Sequence, residues 1–313
     1  MASPDTHPDG SPGDRSDRSS DARFDGSPGG SSDARPGVFQ PGVSPPGVAT
    51  AEGRAGLAAL RASPGRSVVA LDFDGTLAPI VADPDQARPH PDVLPALTRL
   101  APRLRALVVI TGRPAGLAVR YGGFDTAPGL ENLTVLGAYG AERWDAGTGR
   151  LTAPPPDPGV RAVRAELPGL LRELAAPSGV RVEDKGLALA VHTRQAPDPA
   201  GAFAALRDPL ATLAERHALH LEPGRFVLEL RPGGMDKGRA LTAFLAEKDA
   251  GPVLYAGDDL GDLAAFDAVA ARRAGGTPGL LVCSGSTEVT ALADRADLVV
   301  DGPPGVAAFL ATL

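Results

Sequence analysis

The segment Asp72-Phe73-Asp74-Gly75-Thr76 closes a short apolar run, Val68-Val69-Ala70-Leu71. Two carboxylates two residues apart at a strand end can face one site once the chain turns at Gly75. Like charges held that close are unfavourable unless a cation sits between them or one carries a proton. The chemistry on offer is a carboxylate nucleophile beside an acid/base partner, around Mg²⁺. By itself the segment also fits an ordinary Asp-Gly turn after a strand, which is common.

Three further segments weigh against the plain turn. Ile110-Thr111-Gly112-Arg113 follows a second apolar run and sets a hydroxyl and backbone N–H groups at its end. Lys237, in Met235-Asp236-Lys237-Gly238, stands at the predicted start of a helix. Gly257-Asp258-Asp259 follows the apolar run Val253–Ala256, with Asp262 three residues on. Each alone is weak. Together, each on a strand end or helix start, they assemble a phosphate site with a metal. Composition sharpens the lysine, because the chain has 3 Lys beside 28 Arg. Arginine suits surface charge, whereas a compact ammonium suits a transferring phosphoryl group.

These residues need a frame that brings strand ends together. Val68–Leu71, Ala106–Ile110, Leu133–Leu136, Val253–Ala256, Gly279–Cys283 and Leu298–Val300 are apolar without period-two alternation, and helical stretches such as Val93–Leu104 separate them. That pattern predicts an α/β fold with a Rossmann-like parallel sheet covered on both faces. Ligands of such sheets sit at the carboxyl ends of the strands.

The middle of the chain breaks this rhythm. After Pro154-Pro155-Pro156 come a predicted helix over about Gly159–Ala175, strands Val180–Glu183 and Leu187–Thr193, a helix over about Ala200–His217, and strands Leu219–Glu222 and Phe226–Leu230 turned at Pro223-Gly224. Pro232-Gly233-Gly234 closes the segment. The expected organisation is a disordered tail over 1–50, a core over 65–150 and 233–313, and an inserted α/β cap over 151–232. The tail expectation rests on composition: Pro, Gly, Ser and Asp fill 32 of the first 50 positions. Such a segment buries too little apolar surface to offset its ordering entropy.

Composition excludes other classes. The formal charge of -7 and pI near 5.3 leave no basic patch for a nucleic acid. No apolar run reaches the roughly 20 residues needed to span a bilayer, and the N-terminus lacks the apolar segment of a secretory signal. The single cysteine, Cys283, fits a reducing compartment and reads as a small buried residue. A cytoplasmic protein without membrane attachment is expected.

The set Asp72-Phe73-Asp74-Gly75-Thr76, Thr111, Lys237 and Asp258-Asp259 resembles the four motifs of the haloacid dehalogenase superfamily of phosphotransferases. The resemblance runs from about Ser67 to Leu313. It implies that Asp72 is the nucleophile and that Asp74 protonates the leaving oxygen and later activates water. Thr111 and Lys237 would hold the phosphoryl oxygens, with Asp72, Phe73, Asp74, Gly112 and Arg113 among the substrate-binding residues. Asp72, the backbone carbonyl of Asp74 and Asp258 would ligate Mg²⁺, supported by Asp259. An aspartate at position 74 implies rapid dephosphorylation or phosphomutase action, since members that retain the phosphoenzyme carry threonine there.

The inserted segment is similar to the cap of trehalose-6-phosphate phosphatases, which carry Glu-x-Lys, His-x-Arg and a later Glu. Here these are Glu183-Asp184-Lys185, His192-Thr193-Arg194 and Glu229. The pattern departs at Tyr139, where the subfamily has His, and at Gly261, where it has Thr. The resemblance implies hydrolysis of trehalose 6-phosphate to trehalose and phosphate. Charged side chains that hydrogen-bond hydroxyls suit a disaccharide. Spacing alone would make the cap residues exposed cross-strand charge pairs. Alternatives are another sugar-phosphate phosphatase, a phosphomutase, or a non-catalytic sugar-phosphate sensor; the last is disfavoured because Asp72, Asp74, Lys237 and Asp258 are all present. With 313 residues for tail, core and cap, no fused synthase is expected, which leaves room for a transient trehalose-phosphate synthase as partner.

Overall fold

The computed structural model describes residues 47–81, 83–155, 157–285 and 290–313. Most of the expected tail, residues 1–46, lies outside the described residues. The first described helix begins just after it. Thr50 caps a helix, α1 (Ala51–Ala62), by accepting from the Gly53 amide at 2.9 Å, and its hydroxyl also donates to Asp297. Alanine-rich sequence and an N-cap threonine favour that helix.

From there strands and helices alternate: β1 (Val68–Leu71), α2 (Val93–Leu100), β2 (Ala106–Ile110), α3 (Ala115–Gly122), β3 (Leu133–Gly137), β4 (Glu142–Asp145) and β5 (Arg150–Thr152). A second run follows: α4 (Pro158–Glu173), β6 (Arg181–Asp184), β7 (Leu189–His192), α5 (Pro199–Arg216), β8 (Leu219–Gly224) and β9 (Val227–Pro232). The first pattern then resumes with α6 (Lys237–Glu247), β10 (Val253–Gly257), α7 (Leu263–Ala274), β11 (Gly279–Gly285), α8 (Thr290–Ala293), β12 (Leu298–Asp301) and α9 (Gly302–Leu310).

Two sheets result. The large one has the order β12-β11-β10-β1-β2-β3-β4-β5, and its six strands from β12 to β3 pair in parallel. The apolar runs are these six strands, and all four residues of β1 are fully buried. Alternate residues serve opposite faces: Val69 and Leu71 pack with α2 and α9, Val68 and Ala70 with α6 and α7. Burial of such side chains contributes about 1.5–3 kcal/mol each before entropy is counted. The sheet is parallel as expected, and at one edge β4 and β5 extend it as an antiparallel hairpin. Only Trp144 of β4 is buried, so its single apolar contact left little pattern to read.

The second sheet, β6-β7-β9-β8, is wholly antiparallel and carries α4 and α5 on one face around Val163, Leu189, Leu210 and Leu230. The order helix, two strands, helix, two strands is the one expected. The β8–β9 turn is not at Pro223-Gly224: pairing continues to Gly224 opposite Val227, and Arg225-Phe226 make the turn with Phe226 at φ 55°. A two-residue hairpin takes positive φ, and here a phenylalanine rather than the nearby glycine adopts it.

Candidate active site

The central strands β10, β1 and β2 lie side by side, with Leu71 in register with Ala256 and Val109. Asp72, Gly257-Asp258 and Thr111 therefore emerge together at the carboxyl ends of three adjacent strands. Strand order reverses at β1, the usual place for a ligand crevice in such sheets. Gly75 turns the first loop at φ 78°, and a Cβ there would fall 2.0 Å from Asp258 Oδ2. Ser284 donates to the Gly75 carbonyl at 2.7 Å and ties this turn to β11.

Lys237 begins α6, whose N-cap Asp236 accepts from the Arg239 amide at 2.8 Å. Its ammonium lies 2.7 Å from Asp72 Oδ1 and 2.7 Å from Asp262 Oδ1. Asp262 is fully buried and uses both oxygens: Oδ1 also accepts from the Tyr255 hydroxyl at 2.6 Å, and Oδ2 from the amides of Asp258 and Asp259 at 3.0 and 3.2 Å. Burial opposes the charged form of Lys237, but Asp262 and Asp72 outweigh it and raise its pKa. Burial also pushes the Asp72 carboxyl well above the usual range, opposed by Lys237 and assisted by Asp262 and Asp258. The Asp258 carboxyl is pushed up to about 8 by burial, then by Asp262 and Asp259.

That crowding is the condition a bound cation relieves. Among the described residues Asp72, Asp258 and Asp262 offer carboxylate oxygens within 4.8 Å of one another. Asp262 already accepts from four donors, whereas Asp72 is met by Lys237 on Oδ1 and Asp258 by the Thr76 hydroxyl on Oδ1 at 3.3 Å, which leaves these two carboxylates the less committed. Hard oxygen donors of this kind fit Mg²⁺. The Asp259 carboxylate, expected in support of the metal, accepts from the Gly261 amide at 2.9 Å in a capping box with Asp262. The ligand expected from Asp74 is its backbone carbonyl; its carboxylate is held by Arg113 through Nε to Oδ2 and Nη2 to Oδ1, both 2.7 Å. Sequence reasoning gave Asp262 no role, although the Asp259-x-x-Asp262 spacing is that of a capping pair.

Thr111 is buried, and its hydroxyl accepts from the Arg113 amide at 3.1 Å. Phe73 does not face the site. Its ring is fully buried and meets Phe124 edge-on at 6.3 Å, because successive side chains leaving β1 point to opposite faces. Tyr139 does face it, from a turn in which Ala138 and Tyr139 have φ 46° and 55°. Left-handed backbone at two non-glycine residues costs on the order of 1–3 kcal/mol each.

The second sheet closes the other side. A cavity of about 320 Å³ is lined by Asp72, Asp74, Thr111, Gly112, Arg113, Tyr139, Lys237, Asp258 and Asp259, and opposite them by Glu183, Lys185, His192 and Arg194. Glu183, Ala190 and Glu229 lie in one row across β6, β7 and β9. Lys185 reaches Glu229 Oε2 at 2.6 Å, the glutamate buried and the lysine mostly so, and His192 Nε2 meets Glu183 Oε2 at 2.8 Å. Their hydrogen bond is the main cause holding the Glu183 carboxyl below its usual range. The Lys185–Glu229 pair is thus not the exposed charge pair that spacing alone would give. Glu229 stands behind Lys185 rather than on the wall, and its Oε1 is buried with no partner. His217, on the far side of this sheet, bonds Glu166 at 2.8 Å and is no ligand.

A buried carboxylate at the switch point of a parallel sheet, with a lysine and a carboxylate cluster beside it, defines a haloacid-dehalogenase-type hydrolase fold. Residues 70–299 match the trehalose-phosphatase family. The chain belongs to that family. It is 40% identical over 228 residues to a trehalose-phosphate phosphatase of Mycolicibacterium paratuberculosis, covering 67% of this chain and 53% of the relative. A trehalose-6-phosphate phosphatase of Escherichia coli K12 is 33% identical over 218 residues, 66% of this chain and 74% of the relative. The C-terminal domain of the C. albicans trehalose-6-phosphate phosphatase superposes with a TM-score of 0.67 over 86% of this chain and all of that one, at 21% identity, which establishes the fold. The chain spans about half the length of the mycobacterial relative.

Proposed function

We propose that this protein hydrolyses trehalose 6-phosphate to trehalose and phosphate through an aspartyl-phosphate on Asp72. Family membership supports the reaction, and one arrangement carries it: the buried Asp72 with Lys237 at 2.7 Å, across a single cavity from the Lys185–Glu229 pair. The Asp72 carboxylate attacks phosphorus, the bond to the sugar oxygen breaks, and Asp74 gives that oxygen a proton. Water then attacks phosphorus, the bond to the Asp72 oxygen breaks to free phosphate and restore the carboxylate, and Asp74 takes a proton from that water. Splitting one hard displacement into two is the gain from a carboxylate nucleophile. Lys237, oriented by Asp262, neutralises a phosphoryl oxygen, and the Thr111 hydroxyl donates to another. Asp72, the backbone carbonyl of Asp74 and Asp258, supported by Asp259, would hold Mg²⁺, which supplies charge neutralisation at the phosphoryl group when bound.

We assign residues 65–150 and 233–313 to a catalytic core and 151–232 to a cap that reads the sugar through Glu183, Lys185, His192, Arg194 and Glu229. A site with buried polar groups left unpaired rejects a sugar too small to reach them. The connections near 153–155 and 232–234 are suited to hinge motion, with Gly234 at φ 80°. The buried Cys283, its thiol pushed up to about 11 chiefly by burial, suits a reducing, cytoplasmic setting. Among the described residues no helix is long and apolar enough to cross a membrane.

The test is phosphate release from a panel of sugar phosphates by wild type and Asp72→Asn. Preference for trehalose 6-phosphate, abolished in the variant, is expected. Metal-dependent turnover spread evenly over other sugars would overturn the substrate, and an active variant the nucleophile.

A further inference from the structure

We propose that Tyr139 is a positioning residue that couples the sugar-reading strand β9 to the phosphate-facing loop Thr111–Arg113. The proposal rests on the phosphatase reading above.

Tyr139 is built into that loop from both sides of Gly112. The Ala138 amide donates to the Arg113 carbonyl at 2.8 Å, and the Tyr139 amide to the Thr111 carbonyl at 2.9 Å. The phenol end of the ring lies against Gly112 so closely that a Cβ there would stand 2.8 Å from both Cζ and the hydroxyl. A side chain at 112 would displace the ring. The two backbone hydrogen bonds from 138 and 139 tie the loop to the residue that carries the ring.

The face of the same ring belongs to the other sheet. The Arg231 guanidinium lies 4.0 Å from the ring centroid. Arg231 is 7% exposed; Nη2 donates to Glu222 at 2.9 Å, and Nη1 is buried without a partner. A desolvated guanidinium over an aromatic face gains more from the contact than one in water. Glu229 sits two residues earlier, hence on the same face of β9. It too keeps an unpaired buried oxygen, Oε1.

Val227, at the start of the same strand, lines the cavity, and the unpaired atoms of Glu229 and Arg231 are buried behind its wall beside the stack on Tyr139. Engagement of the sugar fixes β9, β9 fixes Arg231, and Arg231 fixes the ring that buttresses Gly112. Tyr139 need not touch the substrate for this. Burial raises its hydroxyl to about 12, so the neutral phenol is the working form throughout the physiological range.

The experiment is a double-mutant cycle of Tyr139→Ala and Arg231→Ala in the full chain, with Tyr139→Phe as the conservative variant. Each single change is expected to lower kcat about tenfold with KM shifted by less than about threefold, and the double variant to lose about tenfold rather than a hundredfold. Tyr139→Phe keeps ring, stack and buttress, and is expected within about twofold of wild type. Multiplying losses, or a phenylalanine variant as poor as the alanine one, would overturn the coupling. If wild type prefers another sugar phosphate, the reading of the substrate fails and the cycle is run with that compound, so the two failures are told apart. Should an alanine variant not fold, Tyr139→Leu and Arg231→Gln replace it. Hydrogen exchange gives a readout that needs no turnover: Arg231→Ala should speed exchange in the peptide holding residues 111–113, and unchanged exchange there would also overturn the coupling.

Discussion

Arg113 grips Asp74 with two parallel hydrogen bonds, Nε to Oδ2 and Nη2 to Oδ1, each 2.7 Å. The guanidinium is itself steered by aromatic rings, 5.4 Å from the Tyr121 centroid and 5.7 Å from that of Phe73. Burial works against the arginine's charge, but the hydrogen bond and charge of Asp74 outweigh it, with a further contribution from Glu183. Bidentate pairs of this kind fix direction as well as charge. Asp74, which lines the cavity, is therefore held in one orientation.

Removing the two partners should have graded effects. Asp74→Asn loses the proton donor and should lower kcat by about 10²–10⁴-fold, the usual worth of general acid–base catalysis. Arg113→Ala leaves the carboxylate in place but unoriented, so its loss of kcat should be smaller. Steady-state kinetics of the two variants check the order; an arginine variant worse than Asp74→Asn would give Arg113 a direct part in phosphate binding.

Metal removal should act through Asp72 and Asp258. Chelation by EDTA is expected to abolish phosphate release, with Mg²⁺ restoring it. Binding also relieves the crowding of buried carboxylates, so Mg²⁺ at a hundred times its Kd should stabilise the folded chain by about 2.7 kcal/mol. Thermal melts with and without the ion measure this. Asp258→Asn should lose most of the shift, whereas Asp259→Asn should keep most of it.

The Lys185–Glu229 pair permits fold and recognition to be separated. Its side chains are 15% and 6% exposed and 2.6 Å apart. Glu229→Ala strands a buried ammonium and should cost about 3–5 kcal/mol, while Lys185→Met with Glu229→Leu should be far closer to wild type in stability. Urea midpoints decide that comparison. Both proteins should lose preference for the disaccharide phosphate over a small aryl phosphate. If the double variant kept that preference, the pair would be structural only.

Arg143 on β4 holds Glu247 at the end of α6, with contacts of 2.5 and 3.0 Å. This hydrogen bond is the chief cause lowering the Glu247 carboxyl to about 2 from its ordinary 4.5. A folded-state value below the unfolded one stabilises above pH 4.5, and the benefit fades as pH falls towards 2. The carboxylate is 45% exposed, so solvent screening limits the pair to about 0.5–1 kcal/mol. The stability gap between wild type and Glu247→Gln in urea should be widest near neutral pH and shrink on acidification. A gap independent of pH would assign the effect to packing.

Local signals carried the parallel sheet and the gathering of the core-site residues at its strand ends. Strands buried on both faces read as unbroken apolar runs, and their ends mark where functional groups emerge, so Asp72, Thr111 and Asp258 were legible from one chain. Lys237 was legible because lysine is rare here and a helix starts beside it. What lay beyond the sequence depended on partners distant along the chain. Phe73 turns into the core because strand pleating points it away from its aspartate neighbours. Asp262 serves Lys237, Tyr255 and two amides at once, a convergence of α6, β10 and the loop after it that no spacing reports. Whether Lys185 and Glu229 are solvated or buried depends on β6, β7 and β9 lying side by side. The stack of Arg231 on Tyr139 exists only because the two sheets meet there. Periodicity is written in neighbouring residues; burial and pairing across sheets are set by contacts between residues tens of positions apart, and those only the tertiary structure decides.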